Sequence, residues 1–187
     1  MIDFEEQPIG RGDHPAVHGF DASRPTASGQ YQRIETRTEF KDALRRFFAQ
    51  AAQQGAREIW LCDVDFAQWP LGEIKVLEQL SAWASARRKL VLLALDYAEV
   101  PRRHPRFVAW RQLWSHVVES RMLVDLEPTQ VPVLAWAQDV GAVRMTDPVN
   151  YRGLMTLSTS DLSECRELLD AAAQRSVEAF PVTTLGL

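Results

Sequence analysis

Six consecutive apolar residues, Leu90-Val91-Leu92-Leu93-Ala94-Leu95, end abruptly at Asp96. An exposed or half-buried strand alternates apolar and polar side chains; this run does not alternate. It is too short for a buried helix, so it reads as a central strand covered on both faces. Such a strand requires helices above and below its sheet. A second run, Ile59-Trp60-Leu61-Cys62, ends the same way in Asp63-Val64-Asp65.

The segments between these runs carry helical periodicity. Phe40, Ala43, Leu44, Phe47, Phe48 and Ala51 recur at helical spacing, with Thr38 as the expected N-cap and Gly55 as the stop. Pro70 is expected to open a second helix with Ile74, Leu77, Leu80, Ser81 and Ala84 inward. Pro105 opens a third, carrying Phe107, Trp110, Arg111 and Trp114 along one stripe. Met122-Leu123-Val124 is expected as a strand. Residues 131–138 and 142–145 flank Asp139-Val140-Gly141, which reads as a hairpin turn. Residues 154–157 suit a further strand, and Ser160 or Asp161 caps a last helix through Leu162, Cys165, Leu168, Leu169 and Ala172.

This order, β-α-β-α-β-α-β-β-β-α, predicts an α/β domain. Its sheet is mixed and largely parallel, flanked by helices, with an antiparallel part at the hairpin. The 187 residues divide into residues 1–30, rich in proline and glycine and expected as a flexible N-terminal arm, and residues 31–187, a single α/β domain.

Several functions are excluded or disfavoured. No apolar run reaches the roughly 18 residues needed to cross a bilayer, so no membrane association is expected. The acidic N-terminus has no apolar stretch behind it, and a cytoplasmic location is expected. Cys62 and Cys165 are far apart and read as small buried side chains. His14 and His18 are interrupted by Pro15 and make no metal site. The net charge of -4 argues against nucleic acid as a partner, since nucleic-acid proteins display basic surfaces. No cofactor is expected.

Two sets of residues carry candidate chemistry. Asp63, Asp65 and Asp96 each follow an apolar strand and belong to one sheet edge, where open α/β sheets bind ligands. Arg103, His104 and Arg106 lie at the start of the third helix, where arginines and helix amides suit a phosphate-containing or anionic ligand. The plainer reading makes the aspartates turn-formers and the arginines a solvated turn.

Asp63-Val64-Asp65 after an apolar strand resembles the first motif of haloacid dehalogenase-like phosphatases. That resemblance implies a metal-dependent phosphohydrolase using Asp63, Asp65 and Asp96, with Asp63 as nucleophile. Phe66 and Ala67 depart from that family's continuation, and no late aspartate pair follows.

A broader resemblance is to one half of the phospholipase D-like superfamily, over residues 31–187. Residues 58–65 look like the strand that begins each half, residues 90–96 like the next central strand, and residues 132–145 like the motif strand and its hairpin. Active members carry His-x-Lys-x-x-x-x-Asp there, the His as nucleophile and the Lys on phosphate oxygens. With Asp139 at the motif aspartate, the His position is Pro132 and the Lys position Leu134. Asn150 falls near the family's downstream Asn. The resemblance therefore implies the fold without the reaction: a degenerate, non-catalytic binding or interaction module. Two halves make one site in the family, so a homodimer is expected.

Overall fold

The computed structural model describes residues 31–85 and 87–181. The arm expected over residues 1–30, with His14 and His18, lies outside the described residues. The elements run β1 (Tyr31–Ile34), α1 (Arg37–Gln54), β2 (Glu58–Asp63), α2 (Ile74–Trp83), β3 (Lys89–Ala94), α3 (Glu99–Arg103), α4 (Pro105–Leu113), β4 (Val118–Leu123), β5 (Val133–Ala137), β6 (Gly141–Asp147), β7 (Arg152–Thr156), α5 (Thr159–Gln174) and β8 (Ser176–Glu178).

The eight strands form one sheet in the order β1-β7-β6-β5-β2-β3-β4-β8. The mixed α/β sheet flanked by helices is as expected. Its parallel part is confined to the centre, where β2 pairs with β3 and β3 with β4. The other pairings are antiparallel, a larger share than the element order implied.

Side chains on successive strand residues point to opposite faces, which builds two cores. On one face Ile59, Leu61, Leu90, Leu92 and Ala94 pack with α1, α2, α3 and α4. On the other, Trp60, Cys62, Val91, Leu93, Leu134 and Trp136 pack with α5. The unalternating run of β3 is thus buried on both sides.

Helix α1 starts two residues earlier than its expected cap. Thr36, extended at φ -139° and ψ 158°, accepts the Glu39 amide on Oγ1 at 3.2 Å. Glu39 answers by accepting the Glu35 amide at 2.7 Å. Gly55 ends the helix at φ +67°, and a Cβ there would meet the Arg88 guanidinium at 2.9 Å.

Helix α2 differs more. Pro70 begins a turn, with the Glu73 amide donating to the Pro70 carbonyl at 3.0 Å, and the helix starts only at Ile74. Trp69 and Leu71 are driven into the core first, which delays the helix and rotates it. Val76, Leu80 and Trp83 face inward, while Ile74 is 59% exposed. Strand β4 begins at Val118, hidden in the sequence by Glu119, Ser120 and Arg121. Arg121 also explains the unforeseen β8: its Nε donates to Ser176 Oγ at 2.7 Å and its Nη2 to the Ser176 carbonyl at 2.9 Å.

Candidate functional site

Strands β2 and β3 run parallel in register, with Asp63 opposite Ala94, so their carboxyl ends form one edge. Strand β5 runs antiparallel to β2, with Cys62 opposite Leu134. Pro132 and Leu134 therefore stand at the same edge as Asp63. The β6–β7 turn with Asn150 joins them, because Val133 pairs with Met145.

The expected aspartates build loops here. Asp63 is buried, and its Oδ2 accepts the Phe66 amide at 2.9 Å. Asp65 Oδ1 accepts the Ala67 amide at 2.8 Å, and Asp96 Oδ1 accepts the Ala98 amide at 2.9 Å. These are turn-forming roles for short carboxylates. Among the described residues, no group of three or more His, Cys, Asp or Glu side chains converges as a metal site. The phosphohydrolase reading of Asp63, Asp65 and Asp96 is not favoured by this arrangement. Burial pushes the Asp63 carboxyl up to about 6, because a low dielectric disfavours its charged form.

His104 is buried beside this loop, and its Nε2–H donates to the Phe66 carbonyl at 2.9 Å. That bond holds Phe66 in the left-handed region, at φ +59°. Burial holds the His104 imidazole below its ordinary range, and the positive charges of Lys41 and Arg103 add to the effect. Arg103 Nε donates to Glu99 at 2.6 Å and Arg102 Nη1 at 3.2 Å. Both arginines remain largely in water, and Arg106 is exposed on the first turn of α4. Of the predicted residues, then, Arg103 and Arg106 form an exposed basic rim, and His104 is buried beneath it. Asp63 lies under it.

What the sequence did not reveal is how the edge is filled. Aromatic rings cross it in an unbroken row. Tyr151 meets Phe40 at 6.5 Å, Phe40 meets Trp69 at 5.8 Å, and Trp69 meets Phe66 at 5.1 Å. Phe66 meets Tyr97 at 6.4 Å, and Tyr97 stacks on Phe180 at 4.8 Å. The row ends at Arg111, whose guanidinium lies 3.7 Å from the Phe180 ring centre. Tyr97 locks the row to the sheet: its single hydroxyl proton is shared between the carbonyls of Leu92 and Arg121, each 2.9 Å away. Apart from Phe66 and Trp69, which share the β2–α2 loop, adjacent members come from different segments, so no local spacing announced the whole row.

The positions singled out by the phospholipase D-like resemblance are equally occupied. Leu134 has no exposed surface and packs in the α5-side core. Asn150 is used internally, donating from Nδ2 to Asp147 at 2.8 Å. Asp139 lies at the far end of β5, exposed in the β5–β6 turn. There the surface opens into a cleft of about 740 Å3, lined by Arg57, Glu58, Trp136, Asp139, Ser163 and Arg166 among others.

No protein-family model matches this sequence, and no curated protein matches it. Solved structures do resemble the fold. One is TrmBL2, an archaeal chromatin protein with a novel mode of DNA binding: 10% identity, 84% of this chain and 57% of that chain, TM-score 0.58. This chain thus spans little more than half the length of TrmBL2. Another is NucT from Helicobacter pylori: 12% identity, 80% of this chain and all of that chain, TM-score 0.54. At these identities the likeness is one of fold. The expectation that nucleic acid is not a partner is nevertheless withdrawn, because a DNA-binding protein shares this fold. The physical error lay in using net charge. A sum of -4 over the chain does not describe a local rim such as Arg102, Arg103 and Arg106. Among the described residues, no helix is long and apolar enough to cross a membrane.

Proposed function

We propose that this chain is a non-catalytic module of the phospholipase D-like fold that binds nucleic acid through its phosphate backbone. The observation that carries the reading is the filled, arginine-rimmed strand-end edge. Where an active member needs His and Lys there are Pro132 and a fully buried Leu134, and an aromatic row fills the crevice beside them. Neither proline nor leucine takes up or holds a phosphoryl group. The rim outside that seal keeps Arg102, Arg103 and Arg106 in water, with Lys41 behind them.

Glu99 holds Arg102 and Arg103 in place until a phosphate replaces it. Arginine suits that exchange, because its planar fork matches phosphate oxygens. His104 acts as a positioning residue through its bond to Phe66, which ties the α3–α4 rim to the β2 loop. The DNA binding of TrmBL2, a neighbour in fold, supports nucleic acid as the class of partner.

Fluorescence anisotropy with a labelled duplex of about 20 base pairs tests the reading across roughly 50–200 mM salt. Affinity is expected to fall with salt, as counterions are released. Arg103→Ala with Arg106→Ala is expected to weaken binding and reduce the salt slope by about 1–2. The labelled strands are expected to stay intact. Cleavage above a no-protein control, or failure to bind duplex and single-stranded probes at low salt, overturns it.

A further inference from the structure

The cleft at the amino-terminal end of β2 is built from three separate segments: residues 56–58, the β5–β6 turn and the start of α5. Its size, about 740 Å3, lies within the roughly 300–1,000 Å3 typical of small-molecule sites. It lies at the opposite end of the central strands from the arginine rim, and it does not depend on the nucleic-acid reading.

Four charged side chains line it. Two are already satisfied. Arg166 pairs with Asp170 at 2.9 Å, lies 3.7 Å from Glu58, and places its guanidinium 4.4 Å from the Trp60 ring centre and 5.1 Å from that of Trp136. Glu58 in turn accepts the Trp60 indole N–H at 3.0 Å. The Trp136 indole donates to the Leu162 carbonyl at 3.0 Å, so that wall is rigid as well.

Subtracting these leaves one cation and one anion. Arg57 and Asp139 are both exposed, and neither forms an ion pair among the described residues. They share the cleft with the hydroxyls of Thr159 and Ser163, one turn apart on α5, and with an apolar wall of Trp136 and Leu162. A purely anionic ligand would meet Asp139 and Glu58; a purely cationic one would meet Arg57 and Arg166. The lining is complementary to a molecule carrying one charge of each sign.

We propose that this cleft binds a small zwitterion, a free amino acid or a dipeptide. Its carboxylate pairs with Arg57, its ammonium pairs with Asp139, and its side chain lies against Trp136 and Leu162. The Thr159 and Ser163 hydroxyls supply hydrogen bonds that a polar side chain or peptide group can use.

The test uses the full chain. Free L-amino acids and glycine-containing dipeptides are screened at about 5 mM by thermal shift, since a ligand that binds only the folded state raises the melting temperature. Any hit is titrated by calorimetry, and the two sets of probes distinguish an amino acid from a dipeptide. At least one zwitterion is expected to bind. Arg57→Gln and Asp139→Asn are each expected to weaken it about tenfold or more, as are N-acetylation and C-amidation of the ligand. Both variants are expected to keep the parent's melting temperature and DNA affinity. The proposal is overturned if no zwitterion binds, if the blocked ligands bind as well as the free one, or if neither substitution weakens binding.

Discussion

The two ends of the central strands are built on opposite plans. At the carboxyl end, Asp63, Asp65 and Asp96 spend their oxygens on their own loops, and a row from Tyr151 to Phe180 fills the space between them. At the amino end, Arg57 and Asp139 have no ion-pair partners among the described residues, and a cleft lies between the segments that carry them. Open α/β sheets place ligands in the crevice outside the carboxyl ends of their parallel strands. Here the parallel strands β2 and β3 end at such an edge, yet the space beside it is packed like a core. Topology nominates a place for a site; the side chains that occupy it decide whether space remains.

If this contrast is right, substitutions at the two ends differ in kind. The largest effect belongs to the sealed end. Trp69 is 2% exposed and touches two other rings, so Trp69→Ala is expected to cost about 3–5 kcal/mol in urea unfolding. A cost below about 1 kcal/mol would mean that the edge is loose rather than sealed.

The next effect is one of pH. Asp63 titrates near 6 when folded and near the ordinary carboxylate value of about 3.9 when unfolded. Its contribution to stability is therefore fully present below about 3.9 and is lost as pH rises through 6. Asp63→Asn keeps an acceptor for the Phe66 amide and removes the buried charge. Relative to the parent, it is expected to gain about 1–3 kcal/mol between pH 4 and pH 8, measured by denaturant unfolding at each pH. A constant difference across that range contradicts the burial argument.

His104 has the opposite sign. Its folded pKa is depressed, so the unfolded chain takes up a proton first as pH falls below about 6.5, and stability drops. His104→Gln is expected to flatten that fall, by about 1 kcal/mol or less.

The smallest effects belong to the open end. Arg57→Gln and Asp139→Asn are each expected to change stability by less than about 0.5 kcal/mol, because exposed groups without pairs contribute little. A large loss at either position would assign it to the scaffold instead of the cleft.

Much of the fold was legible because it depends on near neighbours in the chain. The six-residue run of β3, the Asp139-Val140-Gly141 turn and the Gly55 stop are all local signals, and all lie where they were read. Apart from the α1 cap, where Thr36 displaced its near neighbour Thr38, the errors arose where tertiary packing intervened. The Pro70 start failed because Trp69 and Leu71 are drawn into the core ahead of α2. Strand β8 was invisible because its partner is Arg121, 55 residues away. In the candidate site, Arg103, His104 and Arg106 were grouped by their place at a helix start, whereas Arg57 and Trp136 were not grouped with Asp139. Only the antiparallel pairing of β2 with β5 places Trp60 opposite Trp136 and carries Asp139 back to the end where Arg57 stands.

By itself, then, the sequence determined the alternation of strands and helices, and it put proline and leucine, which carry neither a nucleophile nor a charge, at positions 132 and 134. Periodicity, caps and residue identity need no partner beyond a few positions away. The tertiary structure alone decided that the strand-end crevice is sealed and the opposite end open. A row of rings drawn from four loops and a helix, and a cleft drawn from three segments, exist only after the sheet has assembled.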